Sequence, residues 1–187
     1  MNIVILSGSP RTASLTRRVA KHLKAQLESR LLQTDFIDLA EWNLPPVQTV
    51  WATPEAAPEA YRDLARRIEA ADAYLLVTPE YNGSYSPALK NLLDHFPKRN
   101  RKPFGLATAS PGAMGGMRAA QQLLLLVPAL FGIAAPQFLL VPAVDKKMDE
   151  SGVLIDESFK NNIDQFLNEY ENTQGQQSTA VSKLQIK

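Results

Sequence analysis

The chain has 187 residues, 20 basic and 19 acidic, for a formal charge of +1, and contains no cysteine. That length fits one domain, and the even charge balance excludes the broad basic field of a nucleic-acid binder and leaves a small molecule as the expected partner. Without thiols there can be no disulfide, no cysteine nucleophile and no cysteine-ligated zinc or iron–sulfur centre, so redox chemistry would have to come from a bound cofactor.

The opening Met-Asn-Ile-Val-Ile-Leu carries no basic leader, and no stretch approaches the ~20 apolar residues that a membrane span needs, so a cytoplasmic protein without a membrane partner is expected. Residues 2–7 form a continuous apolar run, the pattern of a strand buried on both faces. Over residues 15–29 the apolar Leu15, Val19, Leu23 and Leu27 recur every four positions, which predicts an amphipathic helix. Residues 34–38 read as a second strand, and residues 39–58, rich in Pro and Thr with two Trp, as a long loop of the kind often tied to function. Helix is expected at 59–71, 87–96, 117–131 and 156–170, and strand at 73–78, 103–109 and 136–141. This alternation predicts an α/β fold with a five-stranded parallel sheet and helices on both faces, because parallel neighbours need crossover connections. The domain is expected over residues 1–171. Residues 172–187, Gln/Ser/Thr-rich and without apolar periodicity, are expected to form a disordered tail.

Ligands of open parallel sheets bind beyond the carboxyl ends of the strands, where strand order reverses, and three loops leave such ends here. The first, Gly8-Ser9-Pro10-Arg11-Thr12-Ala13-Ser14-Leu15-Thr16, is hydroxyl-rich and runs into the first helix. Free backbone N–H groups and the positive end of the helix dipole favour a phosphate there. Ser9, Ser14 and Thr16 add O–H donors, and Arg11 adds a charge-assisted pair. A serine-capped turn alone would need a single Ser or Thr and no arginine. No GxGxxG follows the strand, and no lysine stands where a P-loop requires one. The second loop, Pro79-Glu80-Tyr81-Asn82-Gly83-Ser84-Tyr85-Ser86-Pro87, follows the third strand, beside the reversal point of a 2-1-3-4-5 order. Its amide, hydroxyl and aromatic groups suit a planar heteroaromatic ring, although Asn-Gly by itself is an ordinary turn. The third, Ser110-Pro111-Gly112-Ala113-Met114-Gly115-Gly116, is a glycine-rich turn whose amides can approach a ligand closely.

Together these segments resemble the NADPH-dependent FMN reductase family, a flavodoxin-like group that includes quinone, chromate and azo-dye reductases. The resemblance spans residue 2 to about residue 170. It is carried by Gly8-Ser9-Pro10-Arg11-Thr12-Ala13-Ser14, by Thr78-Pro79-Glu80-Tyr81-Asn82-Gly83-Ser84 with Leu89-Lys90-Asn91 and Asp94, and by Gly115-Gly116-Met117-Arg118. It implies a flavodoxin-like three-layer sandwich, bound FMN, NADPH or NADH as donor, and a homodimer or homotetramer. By the same resemblance Ser9, Arg11, Ser14 and Thr16 hold the FMN phosphate. Pro79, Glu80, Tyr81, Asn82, Gly83 and Ser84 border the isoalloxazine and ribityl chain, while Ser110, Gly112, Gly115 and Gly116 face the pyrimidine edge. Many members have proline two positions after the serine matching Ser84; here Ser86 stands there and Pro87 follows.

An enzyme of this kind needs no triad or metal, since the flavin carries the chemistry. His22 and His95 are therefore read as structural. The basic run 98–102 is expected to be a solvated turn, with the NADPH 2′-phosphate as its other possible ligand. The apolar excess at residues 123–131 implies deep burial or a subunit face. A rival reading, a flavodoxin-like electron carrier without turnover of its own, fits poorly with the near-neutral charge.

Overall fold

Ile3, Val4, Ile5 and Leu6 of β1 (Asn2–Ser7) are all fully buried, which requires an apolar layer on each side of the strand. The computed structural model, which describes the backbone of residues 1–185 and side chains for residues 1–176, shows both layers. β2 (Gln33–Asp38) and β3 (Ala73–Tyr81) flank β1 in parallel. β3 turns back into the short antiparallel β4 (Ser84–Tyr85) and also pairs in parallel with β5 (Pro103–Ala109). β6 (Ile133–Ala134) and β7 (Leu139–Val141) both lie parallel to β5. The main path is β2-β1-β3-β5-β6. With β6 and β7 taken as one interrupted edge strand, this is the expected 2-1-3-4-5 order. The interruption falls at Ala135-Pro136, where proline has no N–H for the ladder, so the edge strand expected at 136–141 starts three residues late.

Alternate strand residues serve opposite layers. Val4, Leu6, Tyr74, Leu76, Phe104 and Leu106 pack with α2 (Arg62–Glu69), α3 (Pro87–Asp94) and α4 (Met117–Ala129). Ile3, Ile5, Ala73, Leu75, Val77 and Ala107 pack with α1 (Leu15–Ser29), the short α5 (Val144–Lys147) and α6 (Lys160–Gln185). Each large side chain withdrawn from water in this way contributes roughly 1.5–3 kcal/mol. Two buried phenols close the layers: Tyr74 donates to Ile68 O at 2.6 Å and Tyr170 to Tyr74 O at 2.9 Å. Burial pushes the Tyr74 hydroxyl up to about 12 and raises that of Tyr170 as well.

One expectation is corrected. The polar segment from residue 172 is not a disordered tail: α6 continues through it to Gln185, with Thr173 and Gln174 buried and the Thr173 hydroxyl donating to Glu169 O at 2.8 Å. Once a packed helix is nucleated, adding a residue fixes little new freedom, so a polar sequence can extend it; residues 186–187 of that expected tail lie outside the described residues. The long loop 39–58 leaves the carboxyl end of β2. It is laid along α3, where the Asn91 side chain donates to Pro45 O at 2.8 Å and accepts from Val47 N at 3.2 Å. Trp51, buried, stacks on Tyr61 at 5.4 Å and meets His95 at 4.2 Å and Phe96 at 5.6 Å.

Candidate functional site

The carboxyl ends of β1, β3 and β5 release the first, second and third loops side by side, and a groove of about 370 Å³ opens between them. That size falls in the range of small-molecule sites. It is lined by Ser9, Arg11, Ser14 and Thr16 from the first loop, Pro79, Glu80 and Tyr81 from the second, and Ser110 and Pro111 from the third. Ala13, Leu15 and Ala109, which sequence reasoning did not single out, supply apolar wall. Asn82, Gly83, Ser84, Gly112, Gly115 and Gly116 are not part of this lining.

The first loop runs straight into the start of α1. Ser14 caps α1, its hydroxyl accepting from Arg17 N at 3.2 Å, and Ser9 Oγ accepts from Arg11 N at 3.3 Å. Leu15 and Thr16 open the helix, and their amides have no carbonyl four residues back to bond. Arg17 is turned aside into an ion pair with buried Asp38. Arg11 has no ion-pair partner among the described residues, and its guanidinium lies 4.9 Å from the centre of the Tyr81 ring. The field at the helix mouth is therefore positive, from Arg11 and from the dipole end.

The second loop is a tight hairpin. Glu80 pairs with Tyr85 and Tyr81 with Ser84 across Asn82 and Gly83, whose φ values of 51° and 86° are those of a type I′ turn. Asn-Gly fits because glycine accepts the left-handed conformation freely and asparagine tolerates it. Asn82 and Gly83 thus turn the chain and do not line the groove. Ser86, the departure from the family pattern, is buried and caps α3, accepting from Leu89 N at 3.1 Å with Pro87 at the first helical position. Its hydroxyl also donates to Gly8 O, and its amide donates to Thr78 Oγ1 at 3.1 Å, so one serine joins the first loop, β3 and α3.

The third loop is braced from behind. Ser110 N donates to Val141 O at 3.1 Å, Gly112 N to Ser110 Oγ at 3.0 Å and Gly115 N to Gly112 O at 3.3 Å. The Thr108 hydroxyl donates to Gly115 O at 2.7 Å. The amides of Ala113, Met114 and Gly116 remain without a protein acceptor among the described residues. Gly116 opens α4 at φ 86°, where a Cβ would stand 2.9 Å from Thr108 Cβ. Glu80 reaches across to this helix, its carboxylate accepting from Arg118 N at 3.2 Å and from Arg118 Nε at 2.7 Å. Arg118 had appeared in the sequence only as part of the third motif. Nothing local marks its bond to Glu80, 38 residues away.

The basic run 98–102 lies at the other end of the sheet, just before β5 begins, about 20 Å from the groove by strand rise. Arg99 N and Arg101 N bond Leu130 O and Phe131 O at 2.8 and 2.7 Å, and Lys98 stands over the Phe131 ring at 4.3 Å. Both histidines lie against backbone carbonyls. His95 Nδ1 is 2.7 Å from Asn91 O, and His22 Nδ1 is 2.9 Å from Gly152 O, with burial lowering the His22 pKa. In α4 and the two residues after it the apolar excess divides: Leu123, Leu126, Val127 and Leu130 are core, while Leu124, Leu125 and Phe131 are exposed, Leu125 by 69%. Among the described residues no helix is long and apolar enough to cross a membrane.

Known proteins resemble the chain in sequence and in fold. A family model described as NADPH-dependent FMN reductase matches residues 1–145. An FMN-dependent NADPH-azoreductase of Staphylococcus haemolyticus (strain JCSC1435) is 33% identical over 162 residues, covering 84% of this chain and 86% of the relative. Its counterpart in Staphylococcus aureus (strain USA300) is 32% identical over 156 residues, covering 81% and 82%. Among solved structures, the flavoenzyme NAD(P)H:(acceptor) oxidoreductase FerB from Paracoccus denitrificans superposes with a TM-score of 0.71 at 26% identity over 92% of this chain and 98% of the other. A flavodoxin from Pseudomonas aeruginosa, at TM-score 0.55 and 19% identity over 91% and 99%, shares the fold.

Proposed function

The chain belongs to the NADPH-dependent FMN reductase family, and from that premise we propose that it reduces a small planar acceptor such as free FMN, a quinone or an azo compound. It is an FMN-dependent NAD(P)H oxidoreductase with NADPH as electron donor. When bound, FMN supplies the redox chemistry, accepting electrons from the nicotinamide and passing them to the acceptor. The observation that carries the reading is the convergence of a cationic helix mouth with two ring-sized loops on one groove. The donor set fits the cofactor. Arg11, the hydroxyls of Ser9, Ser14 and Thr16 and the open amides of α1 hold the phosphate, and Pro79, Glu80 and Tyr81 form one wall of the ring site. Of the proposed ribityl and ring contacts, Asn82, Gly83 and Ser84 contribute through the backbone of the hairpin. On the pyrimidine side, Ser110, Gly112, Gly115 and Gly116 shape a turn whose unbonded amides at Ala113, Met114 and Gly116 would stabilise negative charge. No side-chain acid or base is needed.

The exposed Leu124, Leu125 and Phe131 support a homodimer or homotetramer, the apolar excess being surface that the core does not use. We place the enzyme in the cytoplasm, with residues 1–171 as the FMN-binding domain. An electron carrier without turnover is disfavoured by membership of a reductase family. The absorption spectrum of the purified chain, followed by anaerobic NADPH and NADH titration and then by addition of each acceptor, tests the whole reading. A flavin spectrum bleached by NADPH and restored by a quinone or azo compound is expected. A colourless protein that binds no added FMN would overturn it.

A further inference from the structure

We propose that Glu80 acts as a positioning residue that supplies from β3 the cap that α4 lacks, and through it sets the third loop against the flavin. The proposal rests on the FMN reading above. Its starting point is a conflict at residue 116. The close approach of Thr108 and the φ of 86° both require glycine there, and glycine has no side chain with which to cap a helix. The first turn of α4 therefore begins with its amides uncapped by its own N-cap residue. Glu80 fills the gap from 38 residues away, one carboxylate oxygen on Arg118 N and the other on Arg118 Nε.

The two bonds differ in weight. Arg118 is 65% exposed, so its ion pair with Glu80 is solvated and weak. The carboxylate on the backbone amide sits at the positive end of the helix dipole, in a side chain only 13% exposed, and dominates. Because Glu80 also stands at the base of the rigid β3–β4 hairpin, the bond fixes the distance between the second and third loops. Those loops form the two sides of the proposed ring site, whereas the phosphate end is held by the first loop. Loss of the brace should therefore act on the ring and leave phosphate selectivity alone.

The test uses the full chain, with Glu80→Ala, Glu80→Gln and Arg118→Ala. Affinity is read for FMN and for riboflavin by quenching of flavin fluorescence, together with the midpoint potential of bound FMN and the melting temperature without flavin. Glu80→Ala should weaken both flavins by the same factor, about three- to tenfold. Relative to Glu80→Gln, which removes the same charge, it should also lower the potential, by about 30 mV for each tenfold loss of preference for the reduced form in a two-electron couple. Glu80→Gln should recover most of the loss, since its amide oxygen still accepts from Arg118 N. Arg118→Ala keeps that backbone amide and should cost less than Glu80→Ala. A fall in melting temperature with both affinities and the potential unchanged would overturn the proposal, as would loss of FMN with riboflavin binding intact. If Glu80→Ala does not fold, Glu80→Gln and Arg118→Ala carry the test, and an Arg118→Ala loss exceeding that of Glu80→Gln would overturn it. A wild-type chain that binds neither flavin would remove the FMN reading itself, a result distinct from any difference among variants.

Discussion

The two ends of the sheet make an instructive pair. Each carries a cavity, an aromatic side chain and arginine: at the carboxyl end the groove of Arg11 and Tyr81, at the amino end a hollow of about 200 Å³ among Trp51, Phe96, Glu69 and Arg99. The amino end has the denser positive charge, with Lys98, Arg99, Arg101 and Lys102 in one turn. Yet its amides at Arg99 and Arg101 are bonded to Leu130 and Phe131, and Lys98 and Arg99 rest on aromatic rings. At the carboxyl end a helix begins beside the groove, and the amides of Leu15 and Thr16 have no acceptor among the described residues. The proposed phosphate site therefore rests on unspent backbone donors at a helix start, not on charge density alone.

The sharpest way to break this contrast is Arg11→Ala, expected to weaken FMN roughly ten- to a hundredfold while barely affecting riboflavin. The phosphate carries about −1.5 to −2 charges, and a hydrogen bond to a charged group is worth about 1.5–3 kcal/mol. Parallel titrations check it, and equal weakening of both ligands would mean that Arg11 touches the ring or supports the fold. Next in size is Gly116→Ala, which combines left-handed strain of about 1–2 kcal/mol with the contact on Thr108. Chemical denaturation should show the destabilisation, and flavin affinity should fall with it. An unchanged midpoint would mean that the third loop is freely adjustable.

Acid should weaken the fold without favouring either end. His22 is held neutral by burial, with its pKa lowered from 6.5, so the unfolded chain binds the proton more readily. Its contribution is present above pH 6.5 and declines as the pH falls from there toward the depressed folded value. His22→Gln should flatten the difference in denaturation midpoint between pH 7.5 and pH 5.5, and an unaltered slope would assign it to other groups. The smallest effect belongs to the amino end. Lys98→Gln with Arg101→Gln should leave the KM for NADPH within about twofold, because about 20 Å exceeds the screening length of about 8–10 Å. A large rise in KM would show that the basic turn reaches a donor nucleotide after all, as it could across a subunit boundary.

How much of this was legible in the sequence depended on how local each cause is. The strands β1, β2, β3 and β5 and the helices α1 to α4 follow from short-range periodicity and turn residues, and they stand within a few residues of where expected. The interrupted edge strand was legible in principle, since Pro136 forbids the ladder bond that a continuous strand would need. Ser86 too wrote its role locally, as Ser-Pro ahead of an apolar helix. Glu80 did not. Its residue type suggested a ligand group, but its partner is fixed only when β3 and α4 come together. Of the glycine-rich turn, the sequence could tell that amides would be close to a ligand, but not which ones the Val141 and Ser110 acceptors would remove. The helix through residues 172–185 was hidden for the opposite reason, since nothing in a polar stretch records that a packed helix precedes it.

The hydroxyl of Ser86 has a consequence for the entropy of binding. Because it fastens Gly8 O while capping α3, the first loop and the hairpin are tied before any ligand arrives. Ordering side chains at a binding site costs about 0.5–1.5 kcal/mol for each one immobilised, and here part of that cost is met once, during folding. Flavin should then meet walls already in register and associate without a slow loop rearrangement. Ser86→Ala should thus appear first as slower capture of FMN in stopped-flow mixing, with a concentration-independent phase absent from the parent chain.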